Sequence, residues 1–157
     1  NSGNQIAELP TGTASSVAFS RNGHWLAAGG ITRSGLWRTS DWQQAVDFKQ
    51  EALNPEFAAR GDFLAGVSDP DVSILRTSDG LNLGHLKCPE NPTLHFCAGD
   101  RRLVMTATNT TSFVWDLRAL RRELRATGLD WDLPPLAEAA VPGPDQLRVA
   151  PEIATVP

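Results

Sequence analysis

From Val17 to Gly30 the chain reads VAFSRNGHWLAAGG: a short apolar run, a polar turn holding Asn22 and Gly23, and a second apolar run. Two apolar runs across such a turn predict a β-hairpin. The pattern returns from Phe57, as FAARGDFLAG, and from Phe96, as FCAGDRRLVM. These three phenylalanines lie 38 and 39 residues apart. Four residues after each stands a turn residue, Gly23, Gly61 or Asp100, and seven after each a leucine, Leu26, Leu64 or Leu103. Eighteen or nineteen after each comes a large apolar residue, Trp37, Leu75 or Trp115. After the first two of these the chain reads Arg-Thr-Ser-Asp both times, at 38–41 and 76–79. Agreement at so many offsets marks an internal repeat.

Each unit reads as four strands. The first ends at the phenylalanine, the second carries the leucine (HWLAAG, DFLAGV, RLVMTA), and the third ends at the Trp or Leu (SGLWR, VSILR, SFVWD). A fourth follows a Ser-Asp turn in the first two units (QQAVDF, LNLGHL). Turn residues between the runs predict antiparallel meanders, over about 15–48, 54–86 and 93–116. Little polar alternation appears within the strands, so both faces of each sheet are expected to be covered. Four-stranded sheets stacked face to face make a β-propeller or a segment of one. The expected class is therefore all-β: a partial propeller of about three blades in an open arc.

These motifs resemble the WD-repeat propeller. VAFSRNGHWLAAGG is similar to that family's first hairpin, and FVWDL carries its Trp-Asp dipeptide at Trp115 and Asp116. The resemblance covers roughly residues 5 to 117. Leu75 stands where the dipeptide's Trp belongs in the second unit, and Arg38 where its Asp belongs in the first. The family's Gly-His dipeptide before the first strand is missing. Its turn Asp is matched by Asp69, with Asn109 as a weaker equivalent and Ile31 in the first unit. The resemblance thus implies the scaffold with a partial version of the family's polar network.

Outside the repeats, NQIAEL fits the outer strand of a preceding blade, over 5–9. The third unit has no fourth strand; LRALRRELRATG follows instead. Leu117, Leu120 and Leu124 fall at i, i+3 and i+7, one face of a helix, and Gly128 sits where a left-handed C-cap belongs. Burying each leucine contributes about 1.5–3 kcal/mol. A closing helix and cap are predicted over 117–133, and from Pro134 to Pro157 a Pro/Ala-rich, flexible linker or tail with one short strand at QLRVA. RELRATGLDWDLPP also resembles the segment that ends the propeller in large multidomain bacterial proteins of planctomycete type, many of which carry a Ser/Thr kinase domain near the N-terminus. No kinase catalytic-loop, Asp-Phe-Gly or glycine-loop motif occurs in this chain. The chain starts at Asn1, and the resemblance implies blades and other domains upstream.

Composition narrows the chemistry. With 157 residues, 41% hydrophobic and 20% charged, most of the chain is expected to fold as one domain. A net charge of −4 and a pI near 5.3 speak against a nucleic-acid binder. No run of eighteen apolar residues is present, so no membrane span or membrane contact is expected of this segment. Cys88 and Cys97 are too few for a disulfide framework and read as reduced thiols. His85, Cys88, His95 and Cys97 have ligand types that suit zinc. The repeat places His85 on an outer strand and His95 and Cys97 on the next innermost strand. That is about 14 Å apart at ~4.8 Å per strand step, against ligand bonds of roughly 2.0–2.3 Å. No metal or cofactor is expected.

Glu56 is the one carboxylate on an innermost strand, and a lone carboxylate cannot serve as both acid and base. No serine or cysteine has a recognisable base and orienting partner. Arg118, Arg121, Arg122 and Arg125 read as a solvated helix face interrupted by Glu123, and Trp131 as packing back onto that helix. The reading is a non-catalytic scaffold for a protein or peptide ligand, cytoplasmic, its binding residues expected in the rim turns at Arg33, Asp69, Asp71 and Asn109. The alternative is the regulatory or substrate-docking region of a bacterial Ser/Thr kinase whose catalytic domain lies upstream.

Overall fold

The computed structural model describes residues 3–11, 13–30, 34–48, 52–88, 92–107 and 111–136. Eleven strands and one helix follow one another: β1 (Ala14–Phe19), β2 (Trp25–Gly30), β3 (Ser34–Arg38), β4 (Gln44–Phe48), β5 (Leu53–Phe57), β6 (Phe63–Ser68), β7 (Asp71–Arg76), β8 (Asn82–Lys87), β9 (Thr93–Cys97), β10 (Arg102–Thr106), β11 (Ser112–Asp116) and α1 (Leu117–Ala126). They form antiparallel sheets in the orders β1-β2-β3-β4, β5-β6-β7-β8 and β9-β10-β11.

Register explains why the repeat carries the residues it does. Phe19, Leu26, Trp37 and Gln44 pair in one row across the first sheet. The equivalent rows are Phe57, Leu64, Leu75 and Asn82 in the second and Phe96, Leu103 and Trp115 in the third. The neighbouring rows, such as Ala18, Ala27, Leu36 and Val46, point to the opposite face, because side chains alternate along a strand. Ala27, Leu36, Val46 and Phe48 of the first sheet pack with Phe57, Leu64 and Leu75 of the second. Ala65, Ile74 and Leu86 pack in turn with Phe96, Leu103 and Trp115 of the third. The recurring Phe-Leu-Trp row is therefore the face a blade turns toward the blade before it. No blade precedes the first sheet among the described residues; Val17 and Phe19 at its inner strand are 64% and 59% exposed, whereas Phe57 is 8% exposed, and Leu26 and Trp37 further along the Phe19 row are buried.

The blades approach closely at Gly29. A Cβ there would clash with the Ala52 carbonyl oxygen, so no larger residue fits without moving backbone. Fully buried Ser34 secures the same junction: its Oγ accepts from Ala52 N (3.0 Å) and Gly30 N (3.2 Å).

One turn frame is built twice from Arg-Thr-Ser-Asp. Arg38 donates to Asp41 and Arg76 to Asp79, and each aspartate accepts from the backbone two residues on, at Gln43 and Leu81. Thr39 Oγ1 donates to Gly23 O (2.5 Å) and Thr77 Oγ1 to Gly61 O (2.7 Å), tying each outer turn to the first hairpin of its blade. Gly23, Gly61 and Asp100 all take positive φ, at 72°, 75° and 64°. That region favours glycine and tolerates Asp, which is why these residue types recur there. Asp100 also reaches the preceding blade, where its Oδ1 accepts from Ala59 N at 2.8 Å.

In the third blade Leu117 takes the threonine's place. Its N–H donates to Arg101 O (2.9 Å), as Thr39 donates to His24 O and Thr77 to Asp62 O. The chain then turns into α1 because Asp116 caps it, accepting from Ala119 N at 2.9 Å. The Asp of the Trp-Asp dipeptide is thus a helix cap, and the buried Nε1 of Trp115 has no hydrogen-bond partner. At the other end Gly128 (φ 76°) donates to Arg125 O and Leu129 to Leu124 O, the Schellman pair that the glycine predicts. Leu117 is fully buried, and Leu120 and Leu124 pack on the core between the second and third blades.

Residues 3–11, whose segment 5–9 is expected to complete a preceding blade, are irregular beside the described sheets. Past the expected start of the tail, Arg121 holds the Pro134 carbonyl and Leu136 packs on the core. The expected QLRVA strand lies outside the described residues.

Candidate binding surface

The β6–β7 turn carries Asp69 and Asp71, two of the four expected rim residues; Arg33 and Asn109 lie outside the described residues. Asp69 is exposed, and its carboxylate has no partner among the described residues. Asp71 is committed to its neighbour on β8, with Lys87 Nζ 3.1 Å from Oδ1 and 3.2 Å from Oδ2. The turn therefore offers one unengaged carboxylate.

Beside it lies a polar cluster that sequence reasoning missed. Fully buried Ser73 stands 2.6 Å from Ser68 Oγ and 3.2 Å from His85 Nδ1. Asn82 Nδ2 lies 3.3 Å from Ser73 Oγ and 3.2 Å from His85 Nε2, while its Oδ1 accepts from Gly84 N. That last bond fixes the amide, so Nε2 is the acceptor and Nδ1 carries the proton. His85 then donates to Ser73 and Ser73 to Ser68. A buried serine that accepts a hydrogen bond from its histidine has no base there to activate it as a nucleophile. The signal for this cluster was there to read: Ser73 and His85 pair directly across β7 and β8.

The other candidates disperse. His85 and Cys88 belong to the outer side of the second blade, and His95 and Cys97 to β9, as the strand reading has it. Burial raises the Cys88 thiol above its usual range. Glu56 faces His95 Nδ1 at 3.9 Å across the two inner strands. Among the described residues no three His, Cys, Asp or Glu side chains gather as a metal site would need.

The helix face is mixed rather than uniformly solvated. Arg118, Arg122 and Arg125 are exposed, but Arg121 is buried. Its guanidinium donates to Asp130 Oδ1 (3.0 Å) and to the carbonyls of Trp131 (3.2 Å), Leu133 (2.8 Å) and Pro134 (2.8 Å). Arg125 shares the same aspartate at 2.7 Å. These bonds, Arg121's first, hold the Asp130 carboxyl down at about 2. Trp131 is buried as expected, against Phe63 at 5.5 Å and under Arg121, with Nε1 donating to Leu83 O at 3.0 Å; it seals the second blade as well as the helix. Between α1 and Pro135–Leu136 runs a cleft of about 270 Å³ lined by Arg118, Arg121, Arg122 and Arg125.

No helix among the described residues is long and apolar enough to cross a membrane. No family model matches the chain, and no curated protein matches it. Solved structures do. The β-propeller domain of Myceliophteria thermophila Cps50 (Swd1) matches with a TM-score of 0.59 at 12% identity, over 71% of this chain and 41% of that one. The computationally designed Ika4 protein matches with a TM-score of 0.55 at 16% identity, over 66% of this chain and 65% of that one. This chain thus spans less than two thirds of either structure's length. Three stacked antiparallel sheets of four, four and three strands among the described residues, open and matching a propeller domain, are consecutive blades of a β-propeller.

Proposed function

We propose that this segment is a non-catalytic WD-type interaction scaffold that binds a protein or peptide through its rim turns. The observation that carries the reading is Asp69, an exposed and unpaired carboxylate on a turn set between two fully hydrogen-bonded strands. Rigid frames with adaptable turns are suited to recognition. The burial of Ser73 away from solvent agrees with a role without catalysis. The exposed Val17 and Phe19 agree with a preceding blade of the same protein as a further partner. Two free thiols, Cys88 and Cys97, agree with a reducing, cytoplasmic location.

The test is selection of peptides from a displayed random library on the purified chain, followed by calorimetry with Asp69→Lys. Loss of about tenfold in affinity, roughly 1.4 kcal/mol, supports the rim reading. Peptides whose affinity ignores Asp69→Lys refute it.

A second reading keeps the segment as the regulatory or docking part of a bacterial Ser/Thr kinase. It rests on the resemblance of RELRATGLDWDLPP, and the burial of Trp131 with the pairing of Asp130 to Arg121 gives that stretch a reason to persist as a unit. Sequencing several hundred residues upstream in the source genome tests it: no kinase motifs there would end it.

A further inference from the structure

Arg121 and Arg125 stand four residues apart on α1, and together they clamp the carboxylate of Asp130 at 3.0 and 2.7 Å. Residues at this spacing are neighbours on a helix surface. Arg118 and Arg122 repeat the same spacing one turn nearer the helix start. Both are exposed, and neither guanidinium has an ion-pair or hydrogen-bond partner among the described residues, Asp116 feeling the charge of Arg118 without bonding its side chain. They line the cleft whose other wall is Pro135 and Leu136. Four guanidiniums there face one carboxylate, in a chain whose net charge is −4. We propose that Arg118 and Arg122 form a second carboxylate seat, which docks an acidic side chain of a partner peptide while an apolar neighbour of that side chain packs on Pro135 and Leu136.

The fork of a guanidinium matches a carboxylate in two parallel bonds, and two forks one turn apart hold it from both sides. The first pair demonstrates that this helix can do so. Leu136 gives the groove an apolar wall, so a peptide that alternates acidic and apolar residues meets both surfaces. The seat lies apart from the Asp69 turn and stands or falls independently of it.

The test uses the full chain and a fluorescein-labelled peptide of alternating Glu and Leu, read by anisotropy. Binding is expected at about 50 mM salt and weaker at about 300 mM, because the contact is exposed and screened. A Gln/Leu peptide, or the Arg118→Glu/Arg122→Glu variant, should bind about tenfold or more weakly. The thermal melt is expected to stay in place, since neither arginine bonds within the fold; should it move, Arg118→Gln/Arg122→Gln replaces the pair. Equal affinity in the variant overturns the proposal. So does binding that appears only after Glu138, Asp145 and Glu152 are changed to Gln, Asn and Gln, which would make the chain's own tail the occupant. A phosphoserine peptide binding about tenfold tighter than its Glu counterpart would likewise replace the carboxylate by a phosphoryl group.

Discussion

Arg121 Nε and Asp130 Oδ1 meet at 3.0 Å with 5% and 17% of their side chains exposed. Around that pair the guanidinium also binds the carbonyls of residues 131, 133 and 134, so one side chain folds the chain back along the helix it comes from. Among the described residues the third blade has three strands, and this arginine-pinned strap, with Trp131 against Phe63, completes the core beside it.

Removing the guanidinium takes the donor from three carbonyls and leaves Arg125 as the one guanidinium on the Asp130 carboxylate. Arg121→Met should therefore destabilise the chain by about 3 kcal/mol, the usual cost of breaking such a pair from one side. Arg121→Lys should recover part of that at most, having three donors on a point charge in place of a planar fork. Urea titration decides; a loss under about 0.5 kcal/mol would mean that the strap docks without the arginine.

Acid should undo the same contact. Asp130 titrates at about 2 in the folded chain, mainly through its bond to Arg121. An unfolded aspartate titrates near 3.9. The folded value is the lower one, so the pair's stabilisation is fully present above pH ~4 and is lost as pH falls through about 2. Thermal melts of the wild type and Asp130→Asn should differ most at neutral pH and converge across that window. A gap that stays constant down to about pH 2 would remove the pair as its cause.

The repeated threonines offer an internal control. Thr77 Oγ1 bonds Gly61 O within a buried turn, whereas the matching Thr39 bond to Gly23 O is exposed. Thr77→Val should cost about 1–2 kcal/mol and Thr39→Val less than half of that, since an acceptor left unsatisfied is costly where water cannot replace the donor. Equal losses in chemical denaturation would contradict the difference in burial.

The helix should be structural. Leu117 is fully buried, so Leu117→Ala should cost about 3 kcal/mol through the cavity it leaves. Leu120→Asp, which puts a charge against the same core, should cost more than about 2 kcal/mol. A change under about 0.5 kcal/mol in either variant would mean the helix is not docked.

Exposed Val17 and Phe19 should make the isolated chain self-associate, because they share the face that Phe57 shows to be a blade interface. Light scattering after size-exclusion chromatography should find oligomers, reduced by Val17→Lys/Phe19→Lys. A sharp monomer peak for the unmodified chain would mean that this face needs no cover.

Much of the fold is legible locally. Hairpin turns, the 38- and 39-residue spacings, the leucine stripe and Gly128 all act through neighbours in the chain, so their positions can be read without knowing what packs where. The site was less legible. The place of Asp69 and Asp71 on one turn follows from the repeat, but the ion pair of Asp71 with Lys87 does not, because register across the strand pair rather than composition decides it.

What the sequence by itself determined is the unit: where each strand lies, which row recurs, and where the third unit turns into a helix. Periodicity and turn chemistry are short-range, and a row of side chains follows from the pleat. What only the tertiary structure decided is which equivalent residues end up buried. Phe19 and Phe57 hold the same place in the repeat, yet one is 59% and the other 8% exposed, since a blade covers only the second. Arg121 and Arg122 are adjacent and chemically identical; one is the buried anchor of the strap and the other reaches solvent. Burial is set by what returns from far along the chain, and no local pattern carries that.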